Sequence, residues 1–166
     1  MPKKILVATL GTTPAVITEA IDLLDEKGLR PDGVWVFTTE DRDVRDSYNL
    51  LKKHVGEHYG ITWFEDFPVG AYGDVDNSDA ALEFMKTACG ALKNCRSAGY
   101  RSYVCIAGGR KAMSALLGLA VQFYGAERLF HIWVPPWVEE KGGIDNLRRF
   151  QEYPDVLNEL LHYRNG

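Results

Sequence analysis

Two glycine-bearing turns, Leu10-Gly11-Thr12-Thr13-Pro14 and Ala107-Gly108-Gly109-Arg110-Lys111-Ala112-Met113, constrain this chain more than any other feature. Each follows a short apolar run suited to a buried parallel strand, and each opens a segment of helical periodicity. Such strand-to-helix turns expose backbone N–H groups at the positive end of a helix dipole, which suits an anion such as phosphate. The second turn adds the cations Arg110 and Lys111.

Between and beyond these turns, strand and helix patterns alternate. Ile5–Thr9, Val34–Phe37, Ile61–Phe64, Tyr103–Ile106 and Leu129–Val134 read as strands. Val16, Ile17, Ala20, Ile21 and Leu24 follow Pro14 at helical spacing, and Gly28 ends that helix. The region from about Asp41 to Tyr59 reads as a second helix, a third is capped by Asn77 or Ser78, and Lys111–Tyr124 is the fourth. The pattern predicts an α/β three-layer sandwich with a doubly wound, mostly parallel sheet, Rossmann-like in class. One domain over 1–166 is expected, with its core in 4–134. The remainder, 135–166, reads as a loop or hairpin plus a closing helix that contains Leu157, Leu160 and Leu161. In the common doubly wound order the first and fourth strands are neighbours where the winding reverses, so both turns flank one crevice.

Composition narrows the partners. A formal charge of −4 disfavours long nucleic acid, though not a small anion in a local positive pocket. Cys89, Cys95 and Cys105 lack metal or disulfide spacing and read as reduced and structural, as in cytoplasm. No apolar stretch is long enough for a membrane span, and the short N-terminal apolar run does not fit a signal peptide. No G-x-G-x-x-G follows the first strand and no P-loop occurs, so a small mononucleotide or dinucleotide enzyme stands as a weaker reading. His54-Val55-Gly56-Glu57-His58 matches an H-x-x-E-H metal motif. With a glycine inside it and no third ligand indicated, it is set aside as a chance match, and no metal or cofactor is expected.

At Ile5–Glu19 and at Gly108-Gly109-Arg110-Lys111-Ala112-Met113 the sequence resembles the CRISPR-associated Rossmann-fold (CARF) proteins, nearest to the stand-alone ring nucleases of type III CRISPR systems. The resemblance implies binding of a cyclic oligoadenylate second messenger, usually cyclic tetra-adenylate, across a homodimer, and its cleavage in an antiviral defence pathway. It implies that Lys111 meets a phosphodiester, and that Gly11, Gly108, Gly109, Arg110 and Met113 form the ligand-binding turns. Thr12 and Thr13 occupy the family's hydroxyl position, and which of them faces ligand stays open. The family's effectors carry a ribonuclease domain with Arg and His four to six residues apart, a spacing absent here. That favours an enzyme acting on the messenger over an adaptor, with a non-cleaving sensor as the alternative.

The implied chemistry is attack by a ribose 2′-hydroxyl on the adjacent phosphodiester, which needs no metal. The four histidines, His54, His58, His131 and His162, all fall outside the predicted ligand-facing turns. No general acid–base pair is therefore expected, and turnover is expected on the order of minutes or slower. Arg42, Asp76 and Asn77 are candidates for contacting adenine or phosphate, and equally for helix caps or solvated charges. Trp137 and Tyr72 are candidates for base stacking or for covering core edges.

Overall fold

The computed structural model describes residues 1–69 and 77–163. Five parallel strands, β1 (Lys4–Thr9), β2 (Gly33–Thr38), β3 (Trp63–Pro68), β4 (Arg101–Cys105) and β5 (Arg128–Phe130), stand in the order β3-β2-β1-β4-β5. Alternation along each strand divides the core. Leu6, Ala8, Val34 and Val36 face α1 (Ala15–Glu26) and α2 (Arg42–Tyr59), while Ile5, Val7, Trp35 and Phe37 face α3 (Ser78–Ser97) and α4 (Lys111–Tyr124). Helices on both faces of a parallel sheet make the expected three layers.

The fourth strand starts two residues early, at Arg101, and two others differ more from their sequence reading. The third begins at Trp63 and runs to Pro68 instead of spanning Ile61–Phe64. Gly60 ends α2 in a left-handed conformation (φ 71°), and register is set by the pairing of Trp63 with Gly33. Its last residue is a proline, which an edge strand tolerates. The fifth strand stops at Phe130 instead of Val134, because its only neighbour, β4, ends at Cys105, the partner of Phe130. Residues 131–134 therefore leave the sheet at its carboxyl edge.

The segment read as a loop or hairpin is helical. α5 (Pro136–Lys141), α6 (Ile144–Leu147), a 3-10 turn at Arg148–Phe150 and α7 (Pro154–Leu161) follow in succession. Val138, Ile144, Leu147 and Leu161 bury against Ala15 and Leu50, forming a third, small core over the starts of α1 and the middle of α2. Thr18, wholly buried on α1, donates its hydroxyl to the Leu161 carbonyl. Arg148 reaches Asp46 on α2 at 2.7 Å and also pairs with Asp43 and Asp145.

Candidate functional site

The two glycine turns touch backbone to backbone. A Cβ on Gly11 would lie 3.0 Å from the Gly109 Cα, and one on Gly108 would lie 2.3 Å from the Thr9 carbonyl oxygen. Gly109 also adopts φ 73°, a conformation that L side chains rarely enter. Thr9, buried at the end of β1, donates its hydroxyl to the Gly108 carbonyl, and Ser114 donates to the same oxygen at 2.9 Å. The glycines are thus fixed by close approach of two strand ends.

Beside this contact lies a cavity of about 560 Å³, within the range that holds small ligands. Gly11, Thr12, Thr13, Gly108, Gly109, Arg110 and Met113, all expected at the site, line it. Both α1 and α4 begin here, and neither has a side-chain cap. By contrast, α2 and α3 are capped by Asp41 and Asn77. Two helix N-termini thus meet beside the same hollow without a side-chain acceptor, the Val16 and Ile17 N–H groups of α1 being taken by the Thr13 and Pro14 carbonyls.

Other expected residues lie elsewhere. Lys111, first residue of α4, is exposed and is not part of the cavity wall. Arg110, the extended residue just before α4, lines the wall itself. Arg42 is the exposed first residue of α2, flanked by Asp41 and Asp43, which do line the cavity. The Asn77 side chain accepts from the Ala80 N–H at 2.9 Å, so it acts as a cap. Asp76 and Tyr72 lie outside the described residues. Trp137 packs edge-on against Tyr163 at 5.8 Å and lies outside the cavity wall.

His131 was not among the expected site residues. It lines the cavity, just past the end of β5, together with Ile132, Trp133 and Val134. The early end of β5 places them there, and Trp133 is 74% exposed. Applying the strand-end rule to the fifth strand as well as to the first and fourth would have found these residues. The C-terminal segment supplies Glu139, and the Ile144 N–H donates to the Thr12 carbonyl at 2.8 Å. Two of the carboxylates in the wall are already engaged. Asp41 accepts from the Asp43 and Val44 N–H groups, and Asp43 pairs with Arg148.

The thiols play no part in this wall. Burial pushes Cys95 and Cys105 up to about 11 and also raises Cys89, as suits unreactive packing groups. Among the described residues no helix is long and apolar enough to cross a membrane.

An open parallel sheet with helices on both faces and a polar crevice at its winding reversal defines a Rossmann-like domain. The model of the CRISPR-associated protein NE0113 family matches residues 13–166, and the chain belongs to that family. It is 26% identical over 159 residues to the CRISPR system ring nuclease SSO2081 of Saccharolobus solfataricus, covering 92% of this chain and 83% of that one. Csm6 of Enterococcus italicus, bound to cyclic hexa-2′-fluoro-hexa-dAMP, superposes with TM-score 0.66 at 15% identity over 96% of this chain. Can2 of Sulfobacillus thermosulfidooxidans, in complex with cyclic tetra-adenylate, gives 0.54 at 11% identity over 78%. The chain spans 40% and 32% of those two proteins, and at such identities they speak for the fold. Together these matches establish the likeness to ring nuclease-like CARF proteins.

Proposed function

We propose that the crevice binds a cyclic oligoadenylate, with cyclic tetra-adenylate the first candidate, shared between two copies of the chain, and that the protein cleaves it. The observation that carries this reading is the convergence of two helix N-termini lacking side-chain caps, together with Arg110, on one cavity. The family membership and the ring nuclease relative support the same substrate class.

A ring of four nucleotides exceeds what one cavity of about 560 Å³ encloses. Such a ring can carry two-fold symmetry and so fits the dyad of an isologous dimer, each copy offering the same crevice. Lys111 and Arg42, exposed outside the wall, then serve the part of the ring that passes over the rim.

In the reaction a ribose 2′-oxygen forms a bond to the adjacent phosphorus and loses its proton. The bond from phosphorus to the 5′-oxygen breaks, and that oxygen takes up a proton. The products are a 2′,3′-cyclic phosphate and a 5′-hydroxyl. The protein holds nucleophile, phosphorus and leaving oxygen in line. The glycine-turn N–H groups and Arg110 offset charge on a phosphorane inside the crevice, and Lys111 does so for a phosphodiester held at the rim. His131 supplies a group able to pass a proton to the leaving oxygen. No step requires a metal.

The test is incubation of purified protein with cyclic tri-, tetra- and hexa-adenylate in chelator, with products resolved over time. A linear product ending in a 2′,3′-cyclic phosphate, lost in Lys111→Ala, is expected. Binding without product makes the protein a sensor, and absence of binding overturns the proposal.

A further inference from the structure

A second group of side chains lies outside the crevice wall, where the end of α2 meets the turn after α7. His54 and His58 stand one helical turn apart on α2, their rings stacked at 5.2 Å between centroids. His162, buried just after α7, stacks on His58 at 4.3 Å and brings its Nε2 to 2.8 Å from the Nε2 of His54. Its other nitrogen, Nδ1, lies 2.7 Å from Asp22 Oδ2 on α1, and the Tyr59 hydroxyl donates to the second oxygen of Asp22. One ligand nitrogen from each of the three imidazoles lies within 4.8 Å of the other two.

This arrangement has a direction. In the tautomer that donates Nδ1–H to Asp22, His162 aims an Nε2 lone pair into the cluster.

We propose that His54, His58 and His162 bind one Zn²⁺ ion per chain, with Asp22 orienting His162. Zinc–nitrogen bonds of about 2.0–2.1 Å in a tetrahedral site place ligand nitrogens about 3.4 Å apart. The His54 and His162 nitrogens, now 2.8 Å apart, need to part by only about half an ångström, all three ligand atoms already lie within 4.8 Å of one another, and rotation of the exposed His58 ring completes the set. The fourth position opens on a cavity of about 660 Å³ lined by His54, Glu57, His58 and Asn158, and takes water. Imidazole ligands suit zinc among the abundant divalent ions. The H-x-x-E-H motif lacked a third ligand in the sequence, and the fold supplies it from a position 108 residues beyond His54. The ion joins α2 directly to the end of α7 and, through Asp22, to α1. It thereby clamps the same C-terminal segment that walls the crevice.

The test uses untagged full-length chain, stripped with chelator, titrated with Zn²⁺ in a calorimeter and with Co²⁺ by visible absorption. Saturable binding of one equivalent, with the intense bands of four-coordinate cobalt, is expected. His58→Gln, whose exposed side chain carries no core packing, should lose both signals. Asp22→Asn keeps all three ligands and should weaken zinc binding about 10- to 100-fold. Zinc at roughly hundred-fold excess over Kd should raise the melting temperature by roughly 5–10 °C in the parent chain and not in His58→Gln. Absence of saturable binding, or undiminished binding by His58→Gln, overturns the site. Every arm omits cyclic oligoadenylate, so the outcome is independent of the function proposed for the crevice.

Discussion

Gly108→Ala isolates the contact on which the crevice is built. The new Cβ would sit 2.3 Å from the Thr9 carbonyl oxygen, a β1 backbone atom that cannot swing aside. Gly108 does not have a positive φ, so alanine meets no torsional penalty and the whole effect comes from the clash. Relief requires the β4–α4 turn to move away from β1 by most of an ångström. That shift overpacks the site and stretches the bonds the Gly108 carbonyl accepts from Thr9 and Ser114. Overpacking costs about 1–3 kcal/mol and each of the two weakened hydrogen bonds about 0.5–1.5, so a loss of about 2–6 kcal/mol is expected. For a chain of this size that lowers the melting temperature by roughly 4–24 °C. Gly118→Ala is the control. It lies inside α4, a Cβ there meets nothing within 4 Å, and the change should stabilise by about 0.5–1 kcal/mol. Thermal and urea melts of both variants decide the matter, with cyclic tetra-adenylate binding as the second readout. A Gly108→Ala protein as stable as its parent, with binding intact, would show that the two turns do not depend on glycine contact.

Three further outcomes are expected. Thr18→Val keeps the side chain's shape but removes the hydroxyl that bonds the Ala15 and Leu161 carbonyls, and should cost about 1–3 kcal/mol by urea melt. His131→Ala should slow ring opening by about 10²–10⁴-fold at unchanged affinity if that imidazole passes a proton, whereas an unchanged single-turnover rate returns it to a mere wall residue. Arg148→Ala removes the tie between α6 and the Asp43–Asp46 face of α2, so amide exchange should quicken over 144–150 while the sheet stays protected.

The sheet was legible because its central strands are short apolar runs bounded by glycine turns, and because winding order then makes β1 and β4 neighbours. What escaped the sequence depended on partners distant along the chain. The start of β3 is set by Gly33 and the end of β5 by Cys105, neither of which is local to the strand concerned. In the second glycine turn both cations were expected at the site, and Arg110 lines the wall while Lys111 stands exposed outside it. His131 escaped because the residues after Phe130 read as more strand. His162 gave no local signal at all, since its meaning lies in the packing of α7 against α1 and α2.

A net charge of −4 does not by itself keep a polyanion from a local crevice. Three carboxylates line the crevice, which by count alone would repel phosphate. Asp41 caps α2 through one carboxylate oxygen, which accepts two backbone N–H groups, and so part of its charge is offset by a helix end. Asp43 is held by Arg148, a residue contributed by the C-terminal segment. That segment reaches the same region through the bond from Ile144 to the Thr12 carbonyl and through Glu139 in the wall. The local potential at the mouth of α1 and α4 is therefore set partly by how well residues 134–163 are seated. Seating in turn rests on Thr18, on the small core around Leu161, and on the neighbouring histidine cluster. Anything that loosens α7 must then act on the crevice through its charge as well as its shape, although no residue of α7 lines it.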